Sequence, residues 1–244
     1  MRNKTVVRTA LSLGLVAQLV PIGPLSAQTL TTLHAFTSHA DGGGPSATLV
    51  QSSNTLFGVT GEGGNSYDGT VFAINTDGSS FRVLSDLAAA GGGKIWAGAG
   101  LMDAGGVLYG TTVGAGSAIP SAVFSINSDG TAFQILYNFV GTSWGPRCAL
   151  VLSNDTLYGT TFDGGSSGAG SVFALSTDGT SITTLYEFTA LSGSGTNSDG
   201  AQPVSGLTLS GNTLYGTARG GGTFGYGTLF ALNIDSTEIG RAHV

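Results

Sequence analysis

The chain has 244 residues, 42 of them glycine, yet only 9% of its residues are charged. That length suits a single all-β domain. So sparse a charge, against the ~25% usual for soluble chains, argues against a helical cytosolic enzyme, and a net charge of −6 argues against a nucleic-acid partner because phosphate backbones are repelled.

The N-terminus reads as a secretory signal over residues 1–27. Arg2, Lys4 and Arg8 form a basic start, residues 10–20 an apolar core, and Leu25-Ser26-Ala27 a small-residue exit before Gln28. The apolar run is short of the ~20 residues a spanning helix needs; an N-terminal anchor helix is the competing reading. No other segment is suited to cross a bilayer as a helix. Removing the leader leaves 5 Lys+Arg against 14 Asp+Glu, a formal charge of −9. The lone Cys148 excludes an intrachain disulfide, and its place in the apolar run "RCALVL" marks it as a small buried side chain.

The mature chain opens with "TLTTLHAF" (29–36), which matches "SITTLYEF" (181–188). The second of these ends a repeat, so the first is expected to be a closing strand (29–37) that completes a sheet at the other terminus. Four repeats follow within 28–235, at about 44–88, 95–140, 145–190 and 202–235. Their L-[FY]-G leucines are Leu56, Leu108, Leu157 and Leu214. Sixteen residues after each leucine stands a phenylalanine (Phe72, Phe124, Phe173, Phe230), and twenty-one after it an aspartate (Asp77, Asp129, Asp178, Asp235). Pro45, Pro146 and Pro203 precede it by eleven, with Ala97 in the second unit. A period near 50 is a repeat-architecture signal. Insertions fall between units, as in 192–202, where loops tolerate them.

The third unit shows the strand pattern. Residues 149–153, 156–161, 171–176 and 181–188 are apolar or β-branched runs, separated by Asn154-Asp155, a glycine-rich loop (163–170) and Thr177-Asp178-Gly179. Asp-Gly between such runs is a strong hairpin signal. Outside the N-terminus no window has helical apolar spacing. Several strands are apolar on both faces, as a sheet covered on both sides must be. The expected fold is an all-β propeller of four-stranded antiparallel blades.

The pattern L-Y-G-T-T followed by G-[TS]-V-F-[AS]-[IL]-[NS]-x-D-G-[TS] resembles the GloVer tandem repeat, over Thr29 to about Asp235. The resemblance implies an exported bacterial protein, propeller-like, extracellular or on the cell envelope, of a kind that carries various C-terminal surface anchors; it implies no reaction. The fourth unit departs from the pattern at Ser236-Thr237. Residues 238–244, "EIGRAHV", read like a translated sequencing adapter, so 236–244 is expected to be non-native and the native protein longer, with more blades. Otherwise a four-bladed ring is the expectation.

No residue set stands out as catalytic. The glycine-rich loops 61–69, 163–170 and 219–227 lack the lysine and following helix of a phosphate cradle and are expected to be hairpin loops. Asp77, Asp129 and Asp178 offer one carboxylate per turn, too few for calcium, and are expected to cap their turns. Asp41 and Asp199 share a D-G-x-x-P pattern of the same kind. His34, His39 and His243 form no zinc motif and no triad. Asp68, Asp86, Asp163 and Glu187 leave a glycosidase-type pair open, without selecting one. Tyr109, Tyr158, Tyr215 and Phe57 share one repeat position, expected to pack sheet against sheet. Trp96 and Trp144, in loops before the first strands of units two and three, are the expected ligand contacts. The reading is thus a monomeric, exported interaction module without cofactor or metal, binding a protein or glycan. An extracellular propeller enzyme, a lyase or hydrolase acting on polysaccharide, is the alternative.

Overall fold

A computed structural model describes residues 29–87, 100–114, 120–140 and 145–234. The chain divides into Met1–Thr31 and Thr32–Val244, and all sheets belong to the second unit. Among the described residues the named elements are all strands, and their ladders are antiparallel. Sheet 1 contains β1 (Gly43–Pro45), β2 (Val50–Ser52), β3 (Thr55–Glu62), β4 (Thr70–Asn75) and β5 (Arg82–Asp86). Sheet 2 contains β6 (Met102–Asp103), β7 (Val107–Thr112), β8 (Ser121–Asn127) and β9 (Gln134–Phe139). Sheet 3 contains β10 (Val151–Ser153), β11 (Thr156–Thr161), β12 (Ser171–Ser176) and β13 (Ile182–Glu187). Sheet 4 contains β14 (Ala201–Pro203), β15 (Thr208–Ser210), β16 (Thr213–Gly220) and β17 (Thr228–Asn233). Four antiparallel sheets recurring in step with the leucine register are the blades of a β-propeller fold.

The first strand of a unit comes in two pieces. In sheet 1, β1 and β2 both pair with β3; in sheet 4, β14 and β15 both pair with β16. Pro45 opposes Thr60, Pro203 opposes Ala218, and Pro146 makes an isolated bridge to Thr161. The proline thus sits at one repeated edge position, where a missing N–H costs least. Sheet 4 consequently fills only three strand positions. Among the described residues β17 pairs with β16 alone, whereas β4, β8 and β12 each also pair with a last strand.

The glycine that ends L-[FY]-G has a steric cause. An added Cβ at Gly159 would lie 2.6 Å from Phe173 Cζ and 2.9 Å from Leu150 Cδ2. Gly58, Gly110 and Gly216 face Phe72, Phe124 and Phe230 in the same way, each with a leucine beside them. The ladders set Gly159 opposite Phe173 and Gly110 opposite Phe124, so the ring folds across its own cross-strand partner. A bulge recurs just before that phenylalanine, between Val71/Phe72, Val123/Phe124 and Val172/Phe173. Such a bulge re-aims the side chains that follow it.

The core lies between sheets. Phe57, Val59, Val71, Ala73 and Leu87 of unit 1 meet Leu101, Leu108, Phe124 and Ile126 of unit 2. Tyr109, Val123, Leu136 and Phe139 meet Leu150, Leu157, Phe173 and Leu175. Val172 and Phe188 meet Leu207, Leu214, Phe230 and Leu232. Each sheet therefore has a forward face and a backward face built from fixed repeat positions. Fully burying one such side chain stabilises by about 1.5–3 kcal/mol. The Phe pairs at these seams are edge-on or tilted, Phe139 to Phe173 at 5.1 Å and Phe188 to Phe230 at 5.2 Å, the geometry that ring quadrupoles favour.

Residues 29–37 carry no ladder. From Thr32 on they nevertheless follow the path of a last strand on the backward face of sheet 1. Phe36 packs on Phe72 at 5.2 Å, as Phe139 does on Phe173. Leu33 lies over Gly78 as Leu84 lies over Gly130 and Leu136 over Gly179.

Candidate functional site

The loops between second and third strands in units 1 and 4 carry exposed aromatic side chains. Tyr67 is 67% exposed, Phe224 83% and Tyr226 93%. The glycine-rich loops at this position are closed by backbone hydrogen bonds. The amide of Gly69 donates to the Gly63 carbonyl at 2.9 Å, Gly227 to Gly221 at 2.9 Å, and Gly170 to Gly164 at 3.2 Å. Gly63, Gly69, Gly221 and Gly227 all have φ between 70° and 99°, the left-handed region where glycine carries no Cβ penalty. Glycines at those positions therefore belong to loop geometry.

Carboxylates fasten two of these loops to the last strand. The Asn65 amide donates to Asp86, and the amide and hydroxyl of Ser166 donate to Glu187 Oε2 at 3.0 and 2.7 Å. The Ser166 amide, followed by its hydroxyl, holds the Glu187 carboxyl below its ordinary range. Of the four carboxylates named for an acid pair, Asp86 and Glu187 are thus each committed to the loop of their own unit. In the fourth unit, Asn197 from the 192–202 insertion does the fastening. Its Oδ1 accepts from the amides of Gly222 (2.8 Å) and Gly200 (2.9 Å), and its Nδ2 donates to the carbonyls of Thr189 and Gly200. The insertion therefore braces the loop that presents Phe224 and Tyr226.

The turn aspartates, Asp199, Asp41 and His34 have structural partners. Asp77, Asp129 and Asp178 each accept from the backbone and side chain two residues on, Asp178 from Thr180 at 2.9 and 2.8 Å. The Ser176 hydroxyl first, then Thr180, holds the Asp178 carboxyl down at about 2. Asp199, buried, accepts from the Tyr186 hydroxyl at 2.8 Å and the Thr189 amide at 2.9 Å. Burial, then the bond to Asp199 and its charge, pushes Tyr186 up to about 12. Asp41 repeats the device with the Thr37 amide at 3.0 Å and His34 Nε2 at 3.3 Å. His34 stands where Tyr186 stands in unit 3, and its ring stacks on Phe81 at 3.7 Å. Thr37 lowers the Asp41 carboxyl despite some desolvation.

Cys148 is fully buried, bonded to the backbone of Thr160, and burial pushes its thiol up. Phe57 and Tyr109 are buried between sheets and Tyr158 partly so, whereas Tyr215 is 42% exposed. Trp96, Trp144 and His243 lie outside the described residues. Among the described residues no three His, Cys, Asp or Glu side chains cluster to hold a metal, and no helix is long and apolar enough to cross a membrane.

Tyr67, Phe224 and Tyr226 were not singled out from the sequence. A signal was present: loop residues 219–227, "RGGGTFGYG", place two rings among glycines, where no strand face exists to bury them.

No curated protein matches the chain. Among solved structures it is similar to TolB from Acinetobacter baumannii, at 10% identity and a TM-score of 0.43 over 71% of this chain and 37% of that one. It is also similar to a quinohemoprotein alcohol dehydrogenase from Pseudomonas putida HK5, at 14% identity and a TM-score of 0.49 over 83% of this chain and 34% of that one. The chain spans about a third of the length of each. The Gloeobacter/Verrucomicrobia repeat matches residues 12–148 and 97–243. Together these spans take in nearly the whole sequence, and the chain belongs to the Gloeobacter/Verrucomicrobia repeat family.

Proposed function

We propose that this chain is an exported bacterial β-propeller repeat protein that acts as a non-catalytic binding module for a glycan or a protein. Its glycine-rich loops supply the contact surface. The observation that carries this reading is the presentation of Tyr67, Phe224 and Tyr226: large rings held out to solvent on loops whose backbone is fixed. Rings fixed in advance lose little conformational entropy on binding, and flat apolar faces with a polar rim suit sugar rings or aromatic-rich protein surfaces. The leader pattern of residues 1–27 and the charge-poor composition support export. Asp86 and Glu187, two of the four carboxylates considered for acid–base work, are instead engaged in loop hydrogen bonds, which favours binding over bond cleavage.

The test is a glycan array and an envelope-protein binding screen run with the wild type and with a Phe224→Ala, Tyr226→Ala double variant, beside polysaccharide-cleavage assays. Binding reduced at least tenfold in the variant, with an unchanged melting temperature, is the expected result. Cleavage that an Asp86→Asn or Glu187→Gln change abolishes would establish the enzyme reading instead. Binding indifferent to both rings would remove the loop surface from consideration.

A further inference from the structure

Unit 3 departs from its neighbours where it meets unit 2. On its last strand Ile182 and Thr184 stand at the positions of Phe81 and Val83 in unit 1 and of Phe133 and Ile135 in unit 2. Both belong to the face of Phe173, which looks back toward unit 2. In unit 1 that place is filled ring on ring, His34 lying over Phe81 at 3.7 Å. In unit 3 the shorter side chains border a cavity of about 150 Å³, closed on the unit 2 side by Tyr137 and Phe139. Its rim includes Gly165 and Thr184, both exposed, so it opens to solvent.

The cavity has an aromatic side and a hydrogen-bonding side. Tyr137 stands edge to face with Phe139 at 4.9 Å, which fixes its ring. Its counterparts are tied to carboxylates, His34 to Asp41 and Tyr186 to Asp199. The sequence has Thr142 where those aspartates stand, four residues before the proline, so no such carboxylate claims Tyr137. On the polar side, Thr161 and Ser171 are buried and share one bond of 2.8 Å between their hydroxyls. The Thr161 hydroxyl also accepts the Ser171 amide at 3.1 Å. Each hydroxyl brings one proton, and the shared bond uses one of the two. Whichever oxygen donates, one O–H is left without an acceptor among the described residues. The matching pair of unit 1 has none to spare, because Thr60 donates to the Glu62 carbonyl at 3.0 Å and Thr70 to Thr60. A buried donor left unmatched is unfavourable, and here it lines a cavity.

Size and charge select the occupant. A cavity of ~150 Å³ takes one six-membered ring and is smaller than the ~300–1,000 Å³ of a drug-sized pocket. No carboxylate, ammonium or guanidinium lines it, and Glu187 Cδ would lie 3.3 Å from a Cβ at Gly165, so a negative charge on the ring would be repelled. We propose that the seam between sheets 2 and 3 is a subsite for one uncharged pyranose residue of a glycan. Its apolar face rests on Tyr137, one of its oxygens accepts from the Thr161–Ser171 pair, and Thr184 bonds a second. The subsite rests on the binding role proposed above, and it lies on a different pair of units from Tyr67, Phe224 and Tyr226.

The test titrates the full chain with the methyl glycosides of glucose, galactose, mannose and N-acetylglucosamine, with the anionic methyl glycoside of glucuronic acid, and with toluene, each followed by ligand-observed NMR. Ile182→Phe restores the residue type of units 1 and 2 and fills the cavity, a change that commonly stabilises; circular dichroism and the melting temperature check its fold. Saturable binding of at least one neutral glycoside, weakened at least tenfold by Ile182→Phe and untouched by the Phe224→Ala, Tyr226→Ala double variant, is the expected result. Thr184→Val, at an exposed site, removes only a hydroxyl and should weaken the same glycoside severalfold. Binding that survives Ile182→Phe and is lost with the loop rings overturns the subsite and leaves the binding role standing. No neutral glycoside bound overturns the subsite, while the glycan array and protein screen still decide the binding role on their own. The glucuronide bound as tightly as the neutral glycosides, or toluene bound in their stead, overturns the assignment to an uncharged sugar.

Discussion

Sheets 3 and 4 are near copies in sequence and differ in what happens to the same positions. In sheet 3, Val172 is fully buried and Tyr158 partly so, because sheet 4 lies against them. In sheet 4, Leu229 and Tyr215 occupy the same two places and stand open. On the opposite face the pair behaves alike: Phe173 and Phe230 are both buried, each under a ring from the unit before. A repeat therefore specifies which side chains can stick, while burial is conferred by the neighbour. Stability in such an array is close to a sum of unit and seam contributions, so each seam should contribute on its own.

Mutations at matched positions should separate these contributions. Phe173→Ala is expected to destabilise by about 3–5 kcal/mol, since it empties a ring site between sheets; denaturant unfolding would show it. A cost near zero would mean that the sheets do not meet where described. Gly159→Ala comes next. A Cβ 2.6 Å from Phe173 Cζ must displace the ring, which overpacking data put at about 1–3 kcal/mol. A rise in stability would show that the ring yields freely.

Asp178→Ala should lower the melting temperature at neutral pH and flatten its fall in acid. The folded carboxyl titrates at about 2, below its unfolded value of ~3.9. Its contribution is therefore present above that unfolded value and is lost as pH falls toward the folded one. An identical acid limb in wild type and variant would remove the turn from the account. The smallest effect belongs to Leu229→Ser, expected to change chain stability by less than ~0.5 kcal/mol, as surface changes do. A loss as large as that of Phe173→Ala would show the end face to be covered after all.

Much of this architecture was legible in the primary structure. The strands expected at 149–153, 156–161, 171–176 and 181–188 stand at Val151–Ser153, Thr156–Thr161, Ser171–Ser176 and Ile182–Glu187. Asp-Gly and β-branched runs act locally and so can be read locally. The split first strand was hidden, because each piece is too short to show a period. The bulge before Phe173 was hidden as well, since a one-residue slip leaves no trace in composition. The site was less legible. Carboxylates such as Glu187 and Asp199 look alike in a sequence, and only folding shows that one fastens a loop and the other joins two units. Exposure of Tyr226 beside burial of Tyr109 likewise depends on what lies across from each ring.

From residue order alone came the repeat, its leucine-to-phenylalanine register and the turns, because each is encoded over a few neighbouring residues. Tertiary structure decided why glycine must precede the threonines of L-Y-G-T-T, which faces are paired and which side chains stay exposed. Those are properties of surfaces brought together from distant parts of the chain, and no short window of sequence contains both partners.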